Sequence, residues 1–145
     1  MRILIDGDAC PQKEEIAKIA REYDVSVIVY MDYAHISCCK DYIIKYCMVG
    51  KDSVDMLIVK DVQENDIVIT QDYGLASLVL AKNALVLHVS GMMIDKNNIE
   101  ELLLRRYVGY KERKQNKHLK GPRKRTKKDE AYFIAQLRSL LEKRK

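Results

Sequence analysis

The chain has 145 residues, 48% hydrophobic and 32% charged, an ordinary water-soluble composition with room for one core. No apolar run approaches the ~20 residues a membrane helix needs, and no charged, apolar and small-residue leader opens the chain, so neither a membrane partner nor a signal peptide is expected. The net charge of +5 is uneven: residues 1–104 hold 10 basic and 17 acidic residues, net −7, whereas residues 105–128 hold 12 Lys and Arg against Glu112, net +11.

Residues 3–5 (Ile-Leu-Ile) read as a short strand buried on both faces. It runs into Asp6 and Asp8, which project to the same side of an extended chain. Gly7 between them lets the backbone turn tightly. Pro11 suits the first turn of a helix over 11–23, in which Ile16, Ile19, Ala20 and Tyr23 share a face and Glu14 and Glu15 suit the helix dipole. Residues 25–31 (VSVIVYM) read as a central strand, parallel to the first across a βαβ unit. A polar connection follows over 32–40, and 42–49 reads as a strand near an edge.

Residues 52–62 read as a short amphipathic helix with Leu57 and Ile58 inward and with Asp52 and Asp55 on one face. Asn65 and Asp66 make a turn, and 67–70 is another buried strand with Asp72 at its carboxyl end. A helix over 74–82, a fifth strand over 85–89 and a turn at Ser90 and Gly91 follow. Asn97 or Asn98 caps a helix reaching about residue 107. Residues 108–128 lack apolar periodicity and read as a loop or semi-ordered arm. Thr126 and Asp129 form a variant capping box, opening a last helix over 129–143 whose Phe133, Ile134, Leu137, Leu140 and Leu141 pack back on the body. The expected architecture is one α/β domain over 1–145, three-layered, with a mostly parallel five-strand sheet flanked by helices, a basic arm at 105–128 and a C-terminal helix.

The acids carry the chemistry. In open α/β sheets, ligands sit outside the carboxyl ends of the strands. Asp6 and Asp8 follow the first strand, Asp72 follows the strand at 67–70, and Asp52 and Asp55 begin the helix before it. If those two strands are neighbours, three to five carboxylates converge on one cleft. Unshielded, they would repel each other. Hard oxygen donors suit Mg²⁺ or Mn²⁺, which can activate water and stabilise a phosphoryl displacement. Asp52 reads equally well as a helix cap. Asp41, Asp61, Asp66 and Asp95 read as solvated or turn residues.

Other reactive side chains carry less. Cys10, Cys38, Cys39 and Cys47 form no Cys-x-x-Cys pair and read as free thiols in a reducing cytoplasm. Cys10, at a helix start, reads as a small buried side chain rather than a reactive thiol. His35, His88 and His118 are scattered and form no triad. Tyr33 and Tyr73 lie nearest the proposed cleft and are the candidates for base stacking.

Four motifs carry a resemblance over essentially the whole chain: Asp6-Gly7-Asp8-Ala9-Cys10-Pro11, Asp52-Ser53-Val54-Asp55, VITQDYGLA at 68–76 and KGPRKRT at 120–126. In this order they resemble the uncharacterised bacterial YaiI/YqxD family, which is placed near the PIN-like nuclease superfamily. The resemblance implies a PIN-like parallel sheet flanked by helices and an acidic metal site at strand carboxyl ends. Carried onto this chain, the site is Asp6, Asp8, Asp55 and Asp72, with Asp52 beside them.

The basic segment points to nucleic acid, with RNA favoured over DNA. Lys120, Arg123, Lys124, Arg125, Lys127 and Lys128, with Arg105 and Arg106, are the candidate phosphate-binding residues. Three readings follow. The first is a Mg²⁺- or Mn²⁺-dependent nuclease using Asp6, Asp8, Asp55 and Asp72. The second is a non-catalytic nucleic-acid-binding module on a nuclease-like fold. The third is a phosphatase of the haloacid dehalogenase type with Asp6 as nucleophile; that class wants Thr or Val where Cys10 stands.

Overall fold

The computed structural model describes residues 1–7, 10–32, 42–47, 53–115 and 124–143. The elements run β1 (Arg2–Asp6), α1 (Lys13–Glu22), β2 (Ser26–Asp32), β3 (Ile43–Cys47), α2 (Ser53–Asp61), β4 (Ile67–Ile69), α3 (Tyr73–Leu80), β5 (Leu85–Leu87), β6 (Met93–Ile94), α4 (Ile99–Gln115) and α5 (Lys127–Lys143). The sheet order is β3-β2-β1-β4-β5-β6. All neighbours pair in parallel except β5 and β6.

The central strands are apolar without alternation because both faces are covered. On one face Ile3, Ile5, Val27, Val29, Ile67 and Ile69 pack against α1 and α5. On the other, Leu4, Ile28, Val68 and Val86 pack against α2, α3 and α4. The result is three layers, α1 and α5, the sheet, and α2 to α4. The capping box opens α5: Thr126 N–H donates to Asp129 Oδ2 at 2.9 Å and Asp129 N–H to Thr126 Oγ1 at 3.2 Å. Phe133, Leu137 and Leu141 are the buried stripe of that helix.

Three differences from the sequence reading have physical causes. Among the described residues the sheet has six strands, not five. The extra β6 has two residues, too few to show a period, and forms an antiparallel hairpin with β5 through a turn whose Gly91 has φ +96°. The helix expected to stop near residue 107 runs to Gln115, so residues 108–115, read as the start of a loop or semi-ordered arm, are helical. Its later turns carry Lys, Arg, Glu and Gln, which favour helix without needing an apolar stripe, and Arg105 pairs with Glu101 one turn earlier at 2.6 Å. Lys127 and Lys128, assigned to the arm, form the first turn of α5.

Candidate functional site

β1 and β4 are neighbours, and the chain leaves them in opposite directions, toward β2 and toward β5. Their carboxyl ends therefore flank the crevice where such sheets bind ligands. One step beyond the Ile5–Ile69 pair stand Asp6 and Thr70, both buried. The Thr70 hydroxyl donates to Asp6 Oδ2 at 3.0 Å. Thr70 Oγ1 in turn accepts the backbone N–H of Asp72 at 3.0 Å. Asp72 caps α3, its Oδ1 accepting from Gly74 N–H at 2.8 Å and Leu75 N–H at 3.2 Å. Arg106 of α4 brings Nη1 to 3.7 Å from the same oxygen.

Gly7 stands in a turn and meets a further demand there. Its N–H donates to the Tyr30 carbonyl at 2.9 Å, and its φ is not positive. A Cβ there would lie 2.7 Å from that carbonyl oxygen, 2.7 Å from Met31 Cγ and 2.8 Å from Val29 Cγ1. Glycine is needed for the close approach of β1 to β2, not for a left-handed turn.

A second group surrounds the start of α1. Arg125 donates to the Val89 carbonyl and to Gln12 Oε1, and its guanidinium carbon lies 5.7 Å from the Phe133 ring centre. It ties the start of α5 to α1 and to the end of β5. Arg125 is therefore a tertiary anchor, where the sequence read a free phosphate clamp. Cys10 is buried, and burial pushes its thiol up against the smaller pull of Gln12, Lys13 and Arg125. That is the behaviour of a packed side chain. The His88 ring lies 5.7 Å from the Tyr73 ring, tilted to it by 39°. Burial, then the Arg125 charge, hold its pKa below the usual histidine value.

Asp55 stands apart from Asp6 and Asp72 in its surroundings. It lies in the first turn of α2 and lines a hollow of about 410 Å³ with Met56, Val59, Lys60, Leu78 and Lys82. Among the described residues, no group of three or more His, Cys, Asp or Glu side chains could hold a metal ion. Asp8, Asp41, Asp52, Lys120 and Arg123, with Tyr33, His35 and His118, lie outside the described residues. Lys124, Lys127 and Lys128 are exposed.

Two acids read as solvated or turn residues are structural. Asp61 accepts from Tyr30 Oη and Lys45 Nζ, both at 2.9 Å. Burial works against its charge, but Lys45 and Tyr30 outweigh it and hold its pKa below the ordinary value. Asp66 does occupy a turn, yet it is buried and paired with Arg2 at 2.8 Å. The reading of the sequence missed Thr70 and Gln12. Thr70 had a usable signal: a hydroxyl two residues before Asp72 can accept its N–H in a local turn.

The family model described as "Uncharacterized BCR, YaiI/YqxD family" matches residues 4–143. The UPF0178 protein of Clostridium tetani is 44% identical over 145 residues, covering 100% of this chain and 99% of the relative. That of Natranaerobius thermophilus is 44% identical over 130 residues, covering 89% and 88%. Among solved structures, Rae1 (YacP) from Bacillus subtilis aligns over all of both chains with a TM-score of 0.44 and 16% identity.

Proposed function

The chain belongs to the YaiI/YqxD family, and on that premise we propose that it is a divalent-metal-dependent nuclease acting on single-stranded RNA. The observation that carries the reading is the bridge from Asp6 through the Thr70 hydroxyl to Asp72 at the switch point between β1 and β4. Two hard carboxylates suit Mg²⁺ or Mn²⁺, cations that retain several waters and take one or two carboxylates from a protein. Asp6 and Asp72 would hold the cation, with Asp8 and Asp52 as further donors; Asp55, which lines a separate hollow, would not share it. A cation there supplies water activation and charge stabilisation on phosphoryl oxygens. The side chains do the positioning. Thr70 orients Asp6, and the first N–H groups of α3 orient Asp72. Arg106 stands at the rim, where a guanidinium can pair with a phosphate.

The test is cleavage of end-labelled single-stranded RNA with Mn²⁺ and then Mg²⁺, comparing the parent with Asp6→Asn and Asp72→Asn. Metal-dependent cleavage lost in both variants is the expected result. Equal cleavage in all three sinks the assigned site. A second reading, a non-catalytic RNA-binding module, is favoured by Asp72 Oδ1 already accepting from the Gly74 and Leu75 N–H groups with Arg106 Nη1 at 3.7 Å. It predicts no turnover with either metal and RNA binding that survives Asp6→Asn.

A further inference from the structure

The middle of α4 carries an exposed apolar face among the described residues. Leu103, Leu104, Tyr107 and Val108 are 37%, 61%, 55% and 43% exposed. At 100° per residue they form one stripe about 140° wide. The body-facing side is different: it carries Ile99 and Leu102, which are buried, and Arg106, which reaches Asp72. An exposed apolar stripe of this kind marks an association surface.

The charges say what covers it. Glu100 and Lys111 are both exposed and lie in line with the stripe, one at each end. Lys111 Nζ is 4.9 Å from the Tyr107 ring centre, so it already lies along the stripe. The midpoint of Glu100 and Lys111 is also the midpoint of the four apolar residues, between Arg105 and Arg106. A two-fold axis there would set Leu103 against Val108, Leu104 against Tyr107, and Glu100 against Lys111 of the second copy. A parallel pairing in register would instead set like charges together. We propose that α4 is a homodimer interface in which two copies pair antiparallel through this stripe. The self-complementary order acid, apolar, base is what an isologous contact requires. Arg106 stays on the side of the candidate site, so pairing leaves that site open and places two of them in one particle. The proposal goes beyond the nuclease reading and does not depend on it.

The test is sedimentation velocity across a concentration series on the full chain, with far-UV circular dichroism as a check on folding. The parent should dimerise at micromolar concentration. Leu104→Gln, at an exposed position and with a good helix former, should leave a folded monomer. Glu100→Lys alone and Lys111→Glu alone should each weaken the dimer by about tenfold, since each turns two attractive pairs into two repulsive ones. Combining the two reversals should restore the dimer to within about threefold of the parent. A monomeric parent through high micromolar concentration overturns the proposal. So does a dimer indifferent to Leu104→Gln, or a double reversal that fails to restore association.

Discussion

Asp6 and Thr70 are joined by a buried hydrogen bond of 3.0 Å across the β1–β4 seam, and the Thr70 oxygen also holds the Asp72 N–H. One hydroxyl thus ties the Asp6 carboxylate to the backbone of Asp72, two residues far apart in the chain.

Thr70→Val keeps the shape and removes both bonds. Asp6 loses a donor in a buried setting, and the Asp72 N–H loses its acceptor. The loss should be about 1–3 kcal/mol in urea unfolding. Thr70→Ser, which keeps the hydroxyl, should cost less. If the nuclease reading holds, Thr70→Val also lowers metal-dependent cleavage, and Thr70→Ser largely retains it.

Gly7→Ala should destabilise by about 3 kcal/mol or prevent folding. The new methyl meets a backbone carbonyl that is fixed by the sheet, so a side-chain rotation cannot relieve it. Equilibrium unfolding against the parent reads this directly. A stability unchanged by the substitution would mean that β1 and β2 are farther apart than described.

Asp61→Leu should lose about 1–3 kcal/mol at neutral pH, because the buried Tyr30 hydroxyl is left without its acceptor. The Asp61 pKa in the folded chain is below its ordinary value of 3.8. Its contribution is therefore present above about pH 4 and is lost as the pH falls through the folded pKa. The parent should lose stability over that acid range, and Asp61→Leu should lose less of it.

Arg125→Met keeps contact with Phe133 but cannot hold Val89 and Gln12. It should destabilise by about 1–3 kcal/mol. The His88 pKa, measured by NMR, should rise once the nearby charge is gone, yet stay below the ordinary value because burial remains. The sign follows: an imidazole depressed in the fold is protonated first in the unfolded chain, so parent stability falls as the pH drops below about 6.5. That fall should be smaller in the variant.

For RNA binding, five phosphate contacts would give a log–log salt slope near −3.5. The exposed Lys124, Lys127 and Lys128 should carry part of it. Neutralising Lys127 and Lys128 together should flatten the slope by about 1.4, without the loss of stability expected for Arg125→Met. A slope unchanged by that pair would remove the start of α5 from the interface.

Local chemistry determined much of this protein from sequence alone. Apolar, β-branched runs at Ile3 to Ile5 and Ile67 to Ile69 suit strands covered on both faces, and the Thr126 and Asp129 pair marks a helix start through bonds three residues long. The acids at the strand ends were legible for the same reason, since each follows its own strand directly. Tertiary structure decided what depends on contacts between distant segments. It joined Asp6 to Asp72 through Thr70 across the β1–β4 seam, and it drew Arg125 out of a basic run to anchor Gln12 and Val89. It also turned Asp61 from a surface acid into the partner of Tyr30 and Lys45. A charged residue carries no local mark of whether its partner is water or a side chain brought in from elsewhere, because that choice is made by the packing of the sheet and its helices.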